Sequence, residues 1–259
     1  MKKKQPKISV VIPAYRCAET LPLSINSALC QDIPLEVLVI DDCPDEPVDQ
    51  VMEQYSHDPR VIYLRNPKNL GAAETRNRGI LMAKAPYVAF LDADDLWCAD
   101  KLKKQLEAIQ RTGCVLCCTA RELMNPQGML TQKIIPVRET ITYKDLLKHN
   151  SINCSSVLIK TEVIREFPMS NAESHEDYIT WLRVLRAHGS ACVVNEPLLQ
   201  YRLSNTGKSG SKLKSAKMTF MVYRRMGFGI GKSILCFCSY AIHGVSKYLF
   251  TKRKANEVS

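Results

Sequence analysis

The sequence predicts an α/β protein: a mostly parallel sheet flanked by helices, followed by a basic, amphipathic helical tail. Three observations carry that prediction. Short β-branched runs alternate with amphipathic stretches through the first half of the chain, a rhythm that makes parallel βαβ units with right-handed crossovers. Several of those runs end in proline or aspartate, as strands do where an open sheet meets its ligand crevice. The basic excess is confined to one end: residues 1–202 hold 25 Lys and Arg against 25 Asp and Glu, whereas residues 203–259 hold 11 against the single acid Glu257.

At 259 residues, 46% hydrophobic and 24% charged, the chain can bury the core of one large domain with an appendage. Its eleven cysteines are odd in number, and Cys114, Cys117 and Cys118 crowd one apolar run, which does not suit a disulfide framework. The opening MKKKQPK leads into a strand rather than an apolar leader, so reduced thiols in a cytoplasm are expected. The CxxC spacing of Cys114 and Cys117 leaves zinc as an alternative, without a second ligand pair at matching spacing.

In order, KISVVIPAY (Lys7 to Tyr15) is a first strand, and Thr20 is placed to cap a helix with Leu21, Ile25, Ala28 and Leu29 on one face. LEVLVIDD (Leu35 to Asp42) is a second buried strand; Pro44 and Pro47 break the chain before a short helix near Val48 to Tyr55. VIYLRN (Val61 to Asn66) is a third strand, and Asn69 to Lys84 a helix opened by Gly71. YVAFL (Tyr87 to Leu91) is a fourth strand, Asp100 to Arg111 the next helix and CVLCCTA (Cys114 to Ala120) a fifth strand. Beyond it, NCSSVLIK (Asn153 to Lys160) reads as a strand, Ser174 to Gly189 as an amphipathic helix closed by Gly189, and Ala191 to Ser204 as two short strands around Pro197. Residues 204–215, rich in Gly, Ser and Lys, read as a flexible basic loop. The tail that follows is apolar with interleaved Arg and Lys; its longest uncharged run, Ser233 to Ser246, is too short to cross a bilayer and reads as part of an interfacial helix pair.

Chemistry gathers where the strands stop. The fourth strand runs into Asp92, Asp94 and Asp95; three negative charges within four residues repel unless neutralised, and hard oxygen ligands of this kind suit Mg²⁺ or Mn²⁺. The alternative is that Asp94 or Asp95 caps the following helix. Pro13 with Tyr15, and Asp41 with Asp42, end two other strands; a phenol and carboxylates that accept from base N–H or ribose hydroxyls suit a nucleotide, and a metal-holding acid beside them suits its diphosphate.

The stretches VVIPAYRCAETL, VLVIDDCPD, NLGAAETRNRG, FLDADD and HEDYITWLR, in that order, resemble the family 2 glycosyltransferases, inverting enzymes of the GT-A fold. The resemblance runs from about Lys7 to Leu203 and looks closest to small bacterial enzymes of surface-polysaccharide assembly, of the teichuronic-acid and O-antigen types. It implies a GT-A catalytic domain over residues 1–203, with a nucleotide-binding half to about 120 and an acceptor half from about 121; the tail over 216–259, beyond the resemblance, reads from its apolar and basic mixture as a membrane-associating helical segment. The resemblance implies that Pro13, Tyr15 and Glu19 lie at the nucleoside and Asp42 on the uracil or ribose. Asp41 either joins Asp42 there or organises the turn before Pro44. Gly71, Arg76, Asn77 and Ala93 would complete the nucleotide-sugar site. Asp92 and Asp94 would form the DxD pair, with Asp94 on the Mn²⁺ or Mg²⁺ that bridges the donor's phosphates. Asp177 matches the general base that deprotonates the acceptor hydroxyl, with Trp97, Asn153 and Glu176 on the acceptor side.

Plainer readings stand beside these: Tyr15 as a strand-end aromatic, Glu176 and Asp177 as complements to a helix dipole, Asn77 as packing for the acid loop, Trp97 and Trp181 as core. Arg202, with Lys208 and Lys212 among Gly and Ser, would form a loop that closes on the donor diphosphate, or else a solvated linker. The expected activity is transfer of a hexosyl or N-acetylhexosaminyl group from a nucleotide sugar, UDP-linked by family habit, to a lipid-linked acceptor of the polyprenyl-phosphate type. The expected place is the inner face of the cell membrane, with an anionic membrane surface as partner. Gln200, Tyr201 and Arg202 are followed by Leu203 rather than completing a QxxRW motif, which disfavours a processive polymerase. A nucleotidyltransferase would want a glycine-rich loop after the first strand, and PAYRCAET has no glycine. A pI near 9.1 could suggest nucleic-acid binding, but the basic residues trail the domain and no such motif is present, so no nucleic-acid partner is expected.

Overall fold

The computed structural model of the chain describes residues 5–170, 175–203 and 212–242, the side chains of 212–214 excepted. Its elements are β1 (Ile8–Ala14), α1 (Leu21–Leu29), β2 (Leu35–Asp41), α2 (Asp49–Glu53), β3 (Val61–Arg65), α3 (Ala72–Met82), β4 (Tyr87–Phe90), β5 (Leu96–Trp97) and α4 (Lys101–Thr112). The second half adds β6 (Leu116–Met124), β7 (Leu130–Ile135), β8 (Thr140–Thr142), α5 (Tyr143–Lys148), a 3₁₀ turn at Cys154–Ser156, β9 (Leu158–Lys160), α6 (Thr161–Glu166), α7 (Glu176–His188), β10 (Ser190–Arg202) and α8 (Lys212–Arg225). A further helical segment occupies residues 230–242.

One sheet runs through the molecule in the order β3-β2-β1-β4-β9-β6-β10-β5, with β7 added beside β6 and β8 beside β10. The first four strands are parallel, as their rhythm predicts. The α/β class and the flanking helices stand, but the sheet is mixed: β9 is antiparallel to both β4 and β6. Side chains alternate between the faces. Val10 and Ile12 pack toward α1, α2 and α4, whereas Val11 packs toward α3, α6 and α7. The α3 backbone comes so close to β1 that a Cβ on Gly79 would stand 2.4 Å from a Val11 methyl.

Several local expectations change. Asn153 to Lys160 is not one strand; the Asn153 side chain accepts from the Ser155 N–H and turns the chain through the 3₁₀ segment before β9 begins. The two strands expected around Pro197 are one long strand, whose pairing to β6 shifts register on both sides of that proline. Neither Asp94 nor Asp95 caps a helix, because β5 intervenes and α4 starts after Asp100. The tail expected over 216–259 divides among its described residues: Met218, Val222 and Tyr223 of α8, and Met226 just after it, are buried, so α8 joins the main body of the fold. No helix among the described residues is long and apolar enough to cross a membrane.

Candidate active site

Because β1, β2 and β4 are parallel and adjacent, Ala14, Asp41 and Phe90 finish at one edge, and the loops after them share a crevice. Tyr15 projects there, 49% exposed, with the Arg16 guanidinium 5.4 Å over its ring. Arg16 takes a left-handed backbone (φ 48°) and pairs with Glu46 across a shallow cavity of about 340 Å³ lined by Cys17, Glu19 and Pro47. Burial pushes the Cys17 thiol up to about 12, so it stays protonated rather than acting as a nucleophile. Pro13 lies one residue inside the end of β1.

Asp41 and Asp42 turn inward. The Asp41 carboxylate accepts from the Cys43 and Val48 N–H groups and from the Tyr63 hydroxyl, which answers the open alternative in favour of the turn. Asp42, expected on the base or ribose, is 3% exposed; it accepts from the Asn66 amide and from the Leu70 and Gly71 N–H groups. Its carboxylate therefore holds the start of α3, and any effect on a ligand runs through that loop. Gly71 is needed there because its φ of 82° suits no residue with a side chain. Asn66 and Tyr63, which sequence reasoning passed over, complete this inner scaffold; a polar residue at the end of a strand is too common a feature to have marked them.

The acid loop after β4 is held from three sides. The Asp92 carboxylate accepts from Arg76 at 2.5 Å, and the Asp92 N–H donates to the Ser155 hydroxyl. The same Arg76, 7% exposed, lies 3.6 Å from Glu176 through its other terminal nitrogen. Burial alone would lower this guanidinium, but Asp92 and Glu176 outweigh it and hold it above its ordinary range. From the far side, the Arg202 N–H donates to the Asp95 carboxylate, and its guanidinium donates to the Asp94 and Pro126 carbonyls. Arg202 thus clamps the acid loop in the described state, where the expectation put it on a diphosphate. Lys208 lies outside the described residues; Lys212 opens α8, its side chain outside them.

Asp177 stands in the first turn of α7 beside Glu176. Burial, and then the charge of Glu176, raise its carboxyl above the usual aspartate range, while Arg76 pulls the other way. Arg76 therefore ties the acid loop to the first turn of α7. Asn77 points elsewhere: its amide donates to the Met169 carbonyl and accepts from the Met169 N–H, so it fastens the stretch after α6 rather than the acid loop. Trp97, expected on the acceptor side, is a core residue, 5% exposed, with its indole N–H on the Ser155 carbonyl. Trp181 is likewise buried, against Phe90. Ser155, unmarked by any motif, anchors both Asp92 and Trp97.

The acids fit a divalent ion. Burial and the neighbouring Asp92 raise the Asp94 carboxyl, and the buried Asp95 Oδ2 has no hydrogen-bond partner, so the loop carries negative charge that its own contacts leave unbalanced. Among the described residues no three His, Cys, Asp or Glu side chains form a closed metal cage, the Cys114–Cys117 pair included. An Mg²⁺-type site needs none, since one or two carboxylates are completed there by water and substrate phosphate. Asp92 and Asp94, flanked by the buried Ala93, supply such a pair.

Comparison with known proteins agrees with this geometry. Residues 9–164 match glycosyl transferase family 2. The chain is 36% identical over 248 residues to the putative teichuronic acid biosynthesis glycosyltransferase TuaG of Bacillus subtilis, across 95% of this chain and 98% of that one. It is 28% identical over 247 residues to the Escherichia coli UDP-Glc:alpha-D-GlcNAc-diphosphoundecaprenol beta-1,3-glucosyltransferase WfaP, across 95% and 97%. Among solved structures, S. aureus TarS 1-349 in complex with UDP-GlcNAc aligns with a TM-score of 0.70 at 18% identity, over 91% of this chain and 71% of that one. The mannosyltransferase PcManGT from Pyrobaculum calidifontis, in complex with GDP-Man and Mn²⁺, aligns at 0.69 and 14% identity, over 99% and 76%. At such identities the solved structures speak for the shared GT-A fold, while the sequence match covers more than half of the chain. The chain belongs to glycosyl transferase family 2.

Proposed function

We propose that this chain transfers a hexosyl or N-acetylhexosaminyl group, with inversion, from a UDP-linked donor to a lipid-linked glycan acceptor of the polyprenyl-diphosphate type in cell-surface polysaccharide synthesis. The observation that carries the reading is the Arg76 bridge. One guanidinium reaches Asp92 of the acid loop and Glu176 beside Asp177, and this tie supports a reading in which the two acidic groups of an in-line displacement act on one donor–acceptor pair. The donor's nucleoside lies against Tyr15 and Glu19, on the loop after β1. Asp92 and Asp94 would hold a divalent ion, Mn²⁺ or Mg²⁺, which when bound supplies positive charge to the departing diphosphate. Asp177 takes the proton from the acceptor hydroxyl; that oxygen bonds to the anomeric carbon as the bond to the diphosphate oxygen breaks. Buried Arg76 keeps Glu176 and Asp92 paired, leaving Asp177 as the proton acceptor.

TuaG and WfaP support the surface-polysaccharide and diphosphoundecaprenol parts of this reading by the activities their names state, and the UDP-GlcNAc complex of TarS supports the donor class. An acceptor with a polyprenyl anchor places the reaction at the cytoplasmic face of the membrane. The test is a panel of nucleotide sugars with Mn²⁺ and a synthetic GlcNAc-diphosphate-lipid acceptor, the new linkage assigned by NMR. Transfer from a UDP sugar, with inverted configuration, should fall about 10²–10⁴-fold in Asp177→Asn and also be lost in Asp94→Ala. Undiminished transfer by Asp177→Asn would assign the base elsewhere.

A further inference from the structure

The helical segment 230–242 is built inside out relative to a surface helix. Its exposed positions are Ile230, Gly231, Lys232, Ile234, Leu235, Cys238, Ala241 and Ile242, and all but Lys232 are apolar. Ile230, Leu235 and Ile242 are each more than 60% exposed. At 3.6 residues per turn these apolar positions fall within about 140° of arc, a continuous stripe. The opposite side is already docked. Ser233 is fully buried, Phe237 meets Phe220 of α8 edge-on at 6.3 Å, and Tyr240 packs on Tyr178 of α7 at 6.1 Å. The stripe therefore has no role in holding the described body together, and it faces outward.

The chemistry around it selects the occupant. From Leu203 to Lys254 the chain contains no acidic residue, and the first acid is Glu257. Exposed Arg224 and Arg225 close α8 just before the segment, Lys232 lies over the Phe228 ring at 4.0 Å on the stripe's flank, and Lys247, Lys252, Arg253 and Lys254 follow in the sequence. Thirteen helical residues are too few to span a bilayer. An apolar stripe whose flanking sequence carries only basic charges complements the acyl boundary beneath anionic headgroups.

We propose that Ile230, Ile234, Leu235 and Ile242 seat the enzyme on an anionic phospholipid bilayer, and that the seat fixes the height of the base. The link is direct: Tyr240, on the inner side of the segment, contacts Tyr178, and Tyr178 is the residue after Asp177. One helix diameter, ~10 Å, separates the lipid-facing stripe from the helix that carries the proton acceptor. A lipid-linked diphosphate acceptor sits at that level. The inference deepens the proposed function, on whose membrane-held acceptor it rests.

The experiment uses the full chain and the double variant Ile234→Glu/Leu235→Glu, both positions being exposed, with circular dichroism as the folding control. Co-sedimentation is measured with vesicles of phosphatidylglycerol and phosphatidylethanolamine, and with neutral phosphatidylcholine vesicles. Wild type should favour the anionic vesicles, and the variant should lose at least ten-fold in partition. Transfer to a water-soluble, short-chain acceptor should be unchanged, while transfer to a vesicle-embedded acceptor should fall in step with binding. Equal vesicle binding by variant and wild type overturns the proposal. So does a concentration-dependent dimer abolished by the variant, which would make a second copy the occupant. Absence of transfer to either acceptor, with vesicle binding still lost in the variant, would instead refute the proposed function and leave the membrane seat standing.

Discussion

The proposed proton acceptor, Asp177, stands where ionisation is hard. Burial and the adjacent Glu176 raise its carboxyl, so it stays protonated at pH values where an exposed aspartate near 3.9 would already be ionised. Since the base works only when ionised, activity should disappear as pH falls through that raised value. Replacing Glu176 with Gln removes the repulsion and leaves the Arg76 charge to act on Asp177; both effects lower the Asp177 pKa. The acid limb of kcat/KM should therefore move to lower pH in Glu176→Gln, and an unmoved limb in the pH–rate profile would assign it to another group. Residue identities of this kind were partly visible beforehand. The bunching of Asp92 and Asp94 where an apolar run stops was legible in the residues, whereas Asp177 was marked only through the family resemblance. The inward turn of Asp42 was not legible, because the N–H groups it binds, those of Leu70 and Gly71, become its neighbours only in the folded state. The turn role of Asp41 and the core placement of Trp97 stood among the readings of the sequence, but the Trp97 partner, the Ser155 carbonyl 58 positions away, did not.

At the scale of elements, α3 is the piece that must sit correctly. It carries Arg76 on one turn and Gly79 on the next, and Gly79 lets the helix rest on Val11. A methyl group at position 79 would need space that Val11, in the core of β1, already fills. Gly79→Ala should destabilise the fold by about 1–3 kcal/mol, read from urea or thermal unfolding. It should also weaken donor binding, because α3 would move away from the sheet with Arg76. The first-half elements could be read from sequence because parallel βαβ units are written locally, in β-branched runs and their stops. The second half was less readable for a physical reason. Strand β9 is three residues long and owes its place between β4 and β6 to pairing partners far away in the chain. The strands β5, β7 and β8 are equally short or exposed, and none has a hydrophobic period of its own.

Across the whole molecule, the chain after Leu203 performs two different tasks. Helix α8 belongs to the core: Val222 is buried there, and the Tyr223 hydroxyl donates to the Leu147 carbonyl at the end of α5. The segment 230–242 adds an outward apolar stripe instead. A chain ending at Gly229 should therefore fold and keep most of its thermal stability, whereas one ending at Leu203 should be strongly destabilised. Far-ultraviolet circular dichroism melts of the two truncations would show the separation, and equal melts would place α8 outside the cooperative unit. The net charge of +10 offered a clue to this tail but not to its division, since composition cannot say which helix of a pair faces inward.

Arg76 also imposes an order on how the enzyme comes into being. Asp92 leaves the ribosome soon after it, but Glu176 follows a hundred positions later. Until α7 arrives, the arginine has one counterion instead of two, and the proton acceptor is not yet present. A growing chain can thus form the first-half strands and the acid loop well before it can join them to α7, so the two halves of the proposed site meet only after Glu176 has been made.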